Sequence, residues 1–159
     1  MSALLILVLL GSGLRSGLTL DAGSKAAILQ VHIPVAILVL ILTLFRLFWW
    51  WRFDTKPKPL GNSPAWQKAI ATWTHRLLYV LLLAMLGSGI SLSILSGAPD
   101  AVFGSAPMPE FETFAPRIAH GIIARLLIGL IALHAGAAQF HHFLKHDTTL
   151  RRIWFTKTG

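Results

Sequence analysis

The chain has 159 residues, of which 55% are hydrophobic and only 13% are charged. A soluble domain carries about a quarter charged residues, so this composition, with a mean hydropathy of +0.67, is typical of an integral membrane protein. The absence of cysteine excludes disulfides, thiolate metal sites and thioether-attached cofactors. We attribute the formal net charge of +8 to cytoplasmic loops near anionic lipid headgroups, and we expect no nucleic-acid partner.

Four apolar segments follow one another along the chain, and a bilayer span needs roughly 20 residues. They predict helices at about 2–20, 28–51, 70–95 and 117–144. The first segment is short and lacks the basic start and cleavage site of a signal peptide. The connections are rich in turn formers, and no internal repeat is evident. The sequence therefore predicts one all-α domain over 1–159, an integral membrane four-helix bundle whose first helix is short or truncated at its N-terminus.

Basic residues predict the orientation of this bundle. Most lie in the second connection and the C-terminal tail, namely Arg52, Lys56, Lys58, Lys68, Lys145, Arg151, Arg152 and Lys157. The other two connections hold only Arg15, Lys25 and Arg117. Because positively charged loops stay on the cytoplasmic side, both termini are predicted to be cytoplasmic. The run Trp49–Trp51 ends the second segment where an aromatic belt would lie.

Two histidines of the last segment share one helix face. His120 and His134 are 14 residues apart, which brings the side chain back to within about 40° after a rise of about 21 Å. This separation is too large for a shared metal ion, but it suits two stacked haems that each take one ligand from this helix. A single histidine in an apolar helix is more often a satisfied buried side chain. Two on one face favour a functional site.

Partners for these ligands must lie at matching depth on other helices. His32 is level with His120 at the extracytoplasmic end, and His75 is level with His134 at the cytoplasmic end. These pairings predict bis-histidine iron sites in the two leaflets.

Two further residues of the second segment bear on this arrangement. Pro34 predicts that the helix either begins just after His32 or kinks there. Arg46 is 14 residues after His32 and therefore faces the same way. It is a counter-ion for a haem propionate or an arginine that reaches the headgroups.

Several stretches resemble the bacterial cytochrome b561 family of small four-helix di-haem membrane proteins. The last helix and tail, "HAGAAQFHHFLKHDTTLRRI", carry the most specific likeness, and "QVHIPVAILVLILTLFRLFW" and "THRLLYVLLLAMLGSGI" resemble the second and third helices. The resemblance implies two b haems with His32, His120 and His134 as axial ligands. The fourth ligand belongs to a His-Trp motif before the first helix, where this chain has no histidine.

Three arrangements account for the missing fourth ligand. The sequence starts too late and the natural chain carries the histidine, or His75 substitutes for it, or only one bis-histidine haem is bound beside a weak or empty second site. Haem per polypeptide, measured with and without an N-terminal extension, distinguishes them.

The resemblance implies electron transfer in the bacterial inner membrane. Some members oxidise superoxide and pass its electron to ubiquinone, whereas others resemble electron-transfer subunits of a dehydrogenase or hydrogenase, with a redox protein as partner. Candidate residues for steering superoxide are Arg15, Lys25 and Arg117, with Glu110 and Glu112 opposing them. Candidates for binding quinone are His141, His142 and Lys145, for which contact with lipid headgroups is the alternative.

A different class of function also uses many histidines. Non-haem iron membrane oxidases and desaturases bind two metal ions with repeated dense histidine clusters. This chain has one such cluster, "HHFLKH", and its other histidines are dispersed by depth, so this class is a remote alternative. A purely structural membrane protein would leave the 14-residue spacing unexplained.

Overall fold

The computed structural model describes residues 2–53 and 64–143. Helix α1 spans Ser2–Leu18, α2 spans Ala22–Arg52, α3 spans Ala65–Ser96, α4 spans Ala98–Phe103 and α5 spans Ala115–Phe143, with a 3-10 turn at Phe111–Thr113 before α5. Three of these, α2, α3 and α5, are long and apolar enough to cross a bilayer, and α1 is a shorter apolar helix. The all-α membrane bundle predicted from the sequence is confirmed.

Helix α2 begins earlier than the hydrophobic pattern indicated. Asp21 caps its N-terminus, because the carboxylate Oδ2 accepts a hydrogen bond from the Ser24 backbone N–H at 2.7 Å. This hydrogen bond holds the pKa of the Asp21 carboxyl below its usual value. Pro34 lies inside α2, so the alternative in which the helix starts just after His32 is wrong. One missing backbone donor is tolerated in a membrane helix that has packed neighbours.

The helices associate mainly as two pairs. Helix α1 packs along α2, and α5 packs along α3, whereas α2 and α3 meet only sparsely. Buried side chains from all four long helices form the core: Leu9, Val39, Leu82, Leu86 and Leu127. Most other large apolar side chains are exposed on the outside of the bundle, where acyl chains of the bilayer would contact them.

Helix α4 was not predicted from the sequence, because the connection that contains it is rich in glycine and proline. Gly97, at a φ of +65°, turns the chain from α3 into α4. Helix α4 buries Ala98 and Val102 and packs against both α2 and α3. The side-chain amide of Gln30 donates to the Val102 carbonyl at 2.9 Å, which fastens α4 to α2 across this end of the bundle.

Candidate functional site

The two predicted extracytoplasmic ligands belong to opposite helix pairs. His32 lies on α2 and His120 on α5, and both side chains are only partly exposed. The two imidazoles lie close enough to interact electrostatically. A group held between them would therefore receive one imidazole from each helix pair.

Each of these histidines has a serine at the same ring nitrogen. Ser12 Oγ of α1 lies 2.8 Å from His32 Nδ1, and Ser88 Oγ of α3 lies 2.9 Å from His120 Nδ1. Neither serine was predicted from the sequence. The signal that identifies them is the segment Gly-Ser-Gly, which occurs at 11–13 and again at 87–89.

The serine hydroxyls also bond to their own helices. Ser12 donates to the Leu9 carbonyl at 3.2 Å, and Ser88 donates to the Met85 carbonyl at 2.9 Å. A hydroxyl has one proton, so each serine oxygen is left to accept a hydrogen bond from the imidazole. In the tautomer that matches this direction, Nδ1 carries the ring proton and the lone pair of Nε2 is free to bind a metal ion.

The second glycine of each segment has no side chain, and this leaves space for the neighbouring imidazole ring. A Cβ at Gly13 would lie 3.3 Å from His32 Cε1, and one at Gly89 would lie 3.2 Å from His120 Cε1. Both distances are tighter than ordinary van der Waals contact, so a larger residue would push the ring. The first glycines, Gly11 and Gly87, have nothing within 4 Å of an added Cβ.

The donor set at this end fits a haem iron. Imidazoles from two separate helices would hold the iron of a b-type haem that carries electrons, and an iron bound by two imidazoles keeps no free position for oxygen. Within residues 2–53 and 64–143 no group of three or more histidine, cysteine, aspartate or glutamate side chains is placed to hold a metal ion. That part of the chain therefore offers no cluster of the kind that the non-haem iron alternative requires.

The two histidines predicted at the other end lie in direct contact. His75 of α3 and His134 of α5 have ring centroids 5.1 Å apart with planes at 71°. Both belong to the same helix pair, unlike His32 and His120. The edge of one imidazole ring contacts the face of the other.

Arg46 lies at this end of α2, and its side chain is exposed. Its guanidinium stacks over the ring of Trp50, 4.7 Å from the centroid, and Trp50 in turn packs on Tyr79 of α3 at 5.5 Å. This stacking holds the guanidinium of Arg46 beside Trp50 and Tyr79, the aromatic pair that joins α2 to α3. The predicted role of Arg46 toward a propionate stays a prediction.

Of the predicted steering residues, Arg117 is the one that the structure places at the same end of the bundle as His32 and His120. A Cβ at Gly17 of α1 would lie 3.3 Å from Arg117 Nη2, and Arg117 acts electrostatically on His120. Arg117 Nε lies 3.9 Å from Glu112 Oε1. Arg15 is exposed in the last turn of α1, and Lys25 is half-buried in α2.

The predicted quinone residues cannot be placed in the same way. The described part of α5 includes the backbone of His141 and His142 but not their side chains, and Lys145 lies outside the described residues.

Comparison with known proteins agrees with this geometry. The family model described as prokaryotic cytochrome b561 matches residues 1–156. The chain is 34% identical over 130 residues to "Cytochrome b561 homolog 1" of Escherichia coli (strain K12), a match that covers 78% of this chain and 73% of the relative. It is 30% identical over 136 residues to "Probable superoxide oxidase CybB" of Yersinia pestis, covering 82% of this chain and 76% of that protein.

A third relative, "Cytochrome b561 homolog 2" of Escherichia coli (strain K12), is 29% identical over 130 residues, covering 78% of this chain and 69% of the relative. No solved structure gives a significant match. The chain belongs to the prokaryotic cytochrome b561 family, and it is a multi-pass inner-membrane protein that binds b-type haem and transfers electrons.

Proposed function

We propose that this cytochrome takes electrons from superoxide at the extracytoplasmic end of the bundle and delivers them to ubiquinone in the membrane. The observation that carries the proposal is the position of Arg117, whose guanidinium lies against Gly17 of α1 and acts on His120. A cation there attracts an anionic reductant toward the histidines. The "Probable superoxide oxidase" of Yersinia pestis, 30% identical, supports the same reductant.

In this proposal His32 and His120 hold one haem iron through their Nε2 atoms. Haem bound there supplies a carrier that accepts and releases one electron at a time. The chain's own part is to fix the imidazoles, to exclude water and to bring the anion close. Arg15 and Lys25 add positive charge at the same end, and Glu112 reduces it by pairing with Arg117 at 3.9 Å.

In this proposal the cytoplasmic half of the bundle passes the electrons to ubiquinone, the acceptor. His134 is the ligand that we propose for a second haem, with His75 in contact with it and Arg46 nearby as a propionate partner. His141, His142 and Lys145 remain the candidates for binding quinone oxygens and passing protons, with both termini on this side of the membrane. A histidine there serves because it both donates and accepts hydrogen bonds.

The overall reaction balances when two protons are taken up with the two electrons. Two superoxide anions each lose one electron and leave as dioxygen. Ubiquinone gains these two electrons and two protons and becomes ubiquinol. The cytoplasmic position of the quinone residues means that we expect the protons to come from that side.

The test uses the full-length, haem-loaded protein in liposomes that contain ubiquinone. Superoxide is generated outside, and ubiquinol formation is followed optically against liposomes without protein. We expect ubiquinol at one per two superoxide consumed. A rate no higher than that of protein-free liposomes, from a protein whose haem is reduced by other donors, would instead favour the role of an electron-transfer subunit for a dehydrogenase or hydrogenase.

A further inference from the structure

We propose that Ser12 and Ser88 are paired positioning residues that fix the protonation and the donor strength of the two extracytoplasmic haem ligands. The inference rests on the proposed ligation by His32 and His120. It adds that each ligand is oriented by a Gly-Ser-Gly segment of the neighbouring helix in its own pair. The two helix pairs therefore present equivalent halves of one site.

The equivalence is seen atom by atom. The distances from serine Oγ to histidine Nδ1 are 2.8 Å and 2.9 Å. In both halves the serine donates to the carbonyl three residues earlier in its helix. In both halves the glycine that follows the serine approaches the Cε1 atom of the same ring. Two helices that repeat the same three contacts, two of which are made to an imidazole, differ from ordinary close packing of small residues.

The hydrogen-bond directions assign the tautomer. Each serine hydroxyl donates its one proton to a backbone carbonyl of its own helix. The serine oxygen therefore accepts a hydrogen bond from Nδ1–H. With the serine oxygen as the acceptor, each Nδ1 carries the ring proton, which leaves Nε2 of both histidines as the metal-binding atom.

Such outer hydrogen bonds change the ligand as well as orienting it. An acceptor at Nδ1–H makes the imidazole a stronger electron donor, and loss of such a partner weakens metal binding by about tenfold or more. A stronger donor favours the oxidised iron. Replacement of either serine by alanine should therefore raise the midpoint potential of the extracytoplasmic haem and weaken its retention.

The experiment compares S12A, S88A and the double variant in the full-length haem-loaded protein. Redox titration gives the midpoint potential, and transfer to apomyoglobin gives haem retention. We expect each single variant to raise the potential and lose haem about tenfold faster, with the double variant shifted further. The variants S12T and S88T keep the hydroxyl and should restore both values.

A matched control is S91A on α3. Ser91 also donates to a carbonyl of its own helix, that of Gly87 at 3.0 Å, but no hydrogen bond joins it to an imidazole in the described chain. This variant should keep the potential and the retention of the unaltered protein. A shift equal to that of S88A would show that a lost helix hydroxyl, rather than the bond to the ligand, causes the effect.

The outcomes separate this inference from the ligation on which it rests. If H32A and H120A lose the extracytoplasmic haem while S12A and S88A leave potential and retention unchanged, the positioning role is refuted and the ligation stands. If H32A and H120A keep that haem, the ligation itself is wrong. Threonine variants that behave like the alanine variants would also overturn the proposal.

Discussion

The imidazole rings of His75 and His134 lie with their centroids 5.1 Å apart on two helices of the same pair. At the other end, His32 and His120 come from opposite pairs and are each engaged by a serine. The two axial ligands of one iron must approach from opposite faces of the porphyrin. The arrangement of His32 and His120 on opposite helix pairs meets this requirement directly, whereas His75 and His134 contact each other edge to face.

We therefore predict that His134→Ala lowers the haem content more than His75→Ala does. His134 is the proposed ligand, and His75 touches its ring from the same helix pair. Haem per polypeptide, from the pyridine haemochrome spectrum, measures the difference. Equal loss in the two variants would instead support His75 as the fourth axial ligand.

At the extracytoplasmic end we predict that His32→Ala and His120→Ala each remove one b-type centre. Each variant leaves the iron without one of its two strong ligands, and no other imidazole is present on α1 or α2. Reduced-minus-oxidised spectra should lose the same component in both variants. Unchanged spectra would contradict the ligand assignment, and Arg125→Ala, at an exposed position of α5, is the control for expression and folding.

Arg117→Gln should slow the reaction with superoxide by about tenfold, because steering by charge changes association rates by 10-fold or more. Arg117→Lys should retain most of the rate. Glu112→Gln should increase it, because the carboxylate 3.9 Å from Arg117 Nε is removed. The Glu112 side chain is 70% exposed, so we expect its replacement to have little effect on stability.

Stopped-flow mixing at several salt concentrations tests this prediction. The unaltered protein should slow as salt rises, since screening weakens steering, and Arg117→Gln should depend less on salt. Arg76→Gln, which removes the same charge from an exposed site next to His75 at the opposite end of the bundle, is the matched control. Equal slowing by both variants would mean that net charge, and not the position of Arg117, governs the rate.

The architecture could be predicted from the sequence because a helix that crosses lipid must consist of about 20 mainly apolar residues. Spans of apolar residues locate the helices, and helical spacing places His120 and His134 on one face. The beginning of α2 could not be predicted in this way, since its first turn is polar and depends on the Asp21 cap. The short helix α4 was also missed, because what holds it in place is Gln30, far away in the sequence.

The serines at the candidate site, Ser12 and Ser88, could not be predicted either, because their role also depends on contacts between residues far apart in the sequence. A serine in an apolar helix commonly bonds its own backbone, as Ser91 does, so sequence alone does not separate it from Ser88. The distinction is that Ser88 also meets His120, which is 32 residues away. Only the packing of α5 on α3 brings the two together.

For the core we predict that Val39→Ala destabilises the bundle by roughly 2 kcal/mol. Val39 is only 1% exposed, and its side chain packs where all four long helices meet. Close packing holds helices together within lipid, where the hydrophobic effect does not act between them. Unfolding in mixed micelles of dodecyl sulfate measures the change. Val80→Ala deletes the same atoms at a position that is 61% exposed, and an equal loss there would contradict the role of packing.

The glycines of the two Gly-Ser-Gly segments give a final, matched prediction. Gly89→Ala would place a Cβ 3.2 Å from His120 Cε1, and Gly13→Ala would place one 3.3 Å from His32 Cε1. Because each imidazole must then move by a few tenths of an ångström, we expect a changed low-spin electron paramagnetic resonance spectrum and faster haem loss. Gly87→Ala and Gly11→Ala add the same methyl where nothing lies within 4 Å, so they should leave both unchanged. Identical spectra for Gly89→Ala and the unaltered protein would show that the ring is not confined by α3.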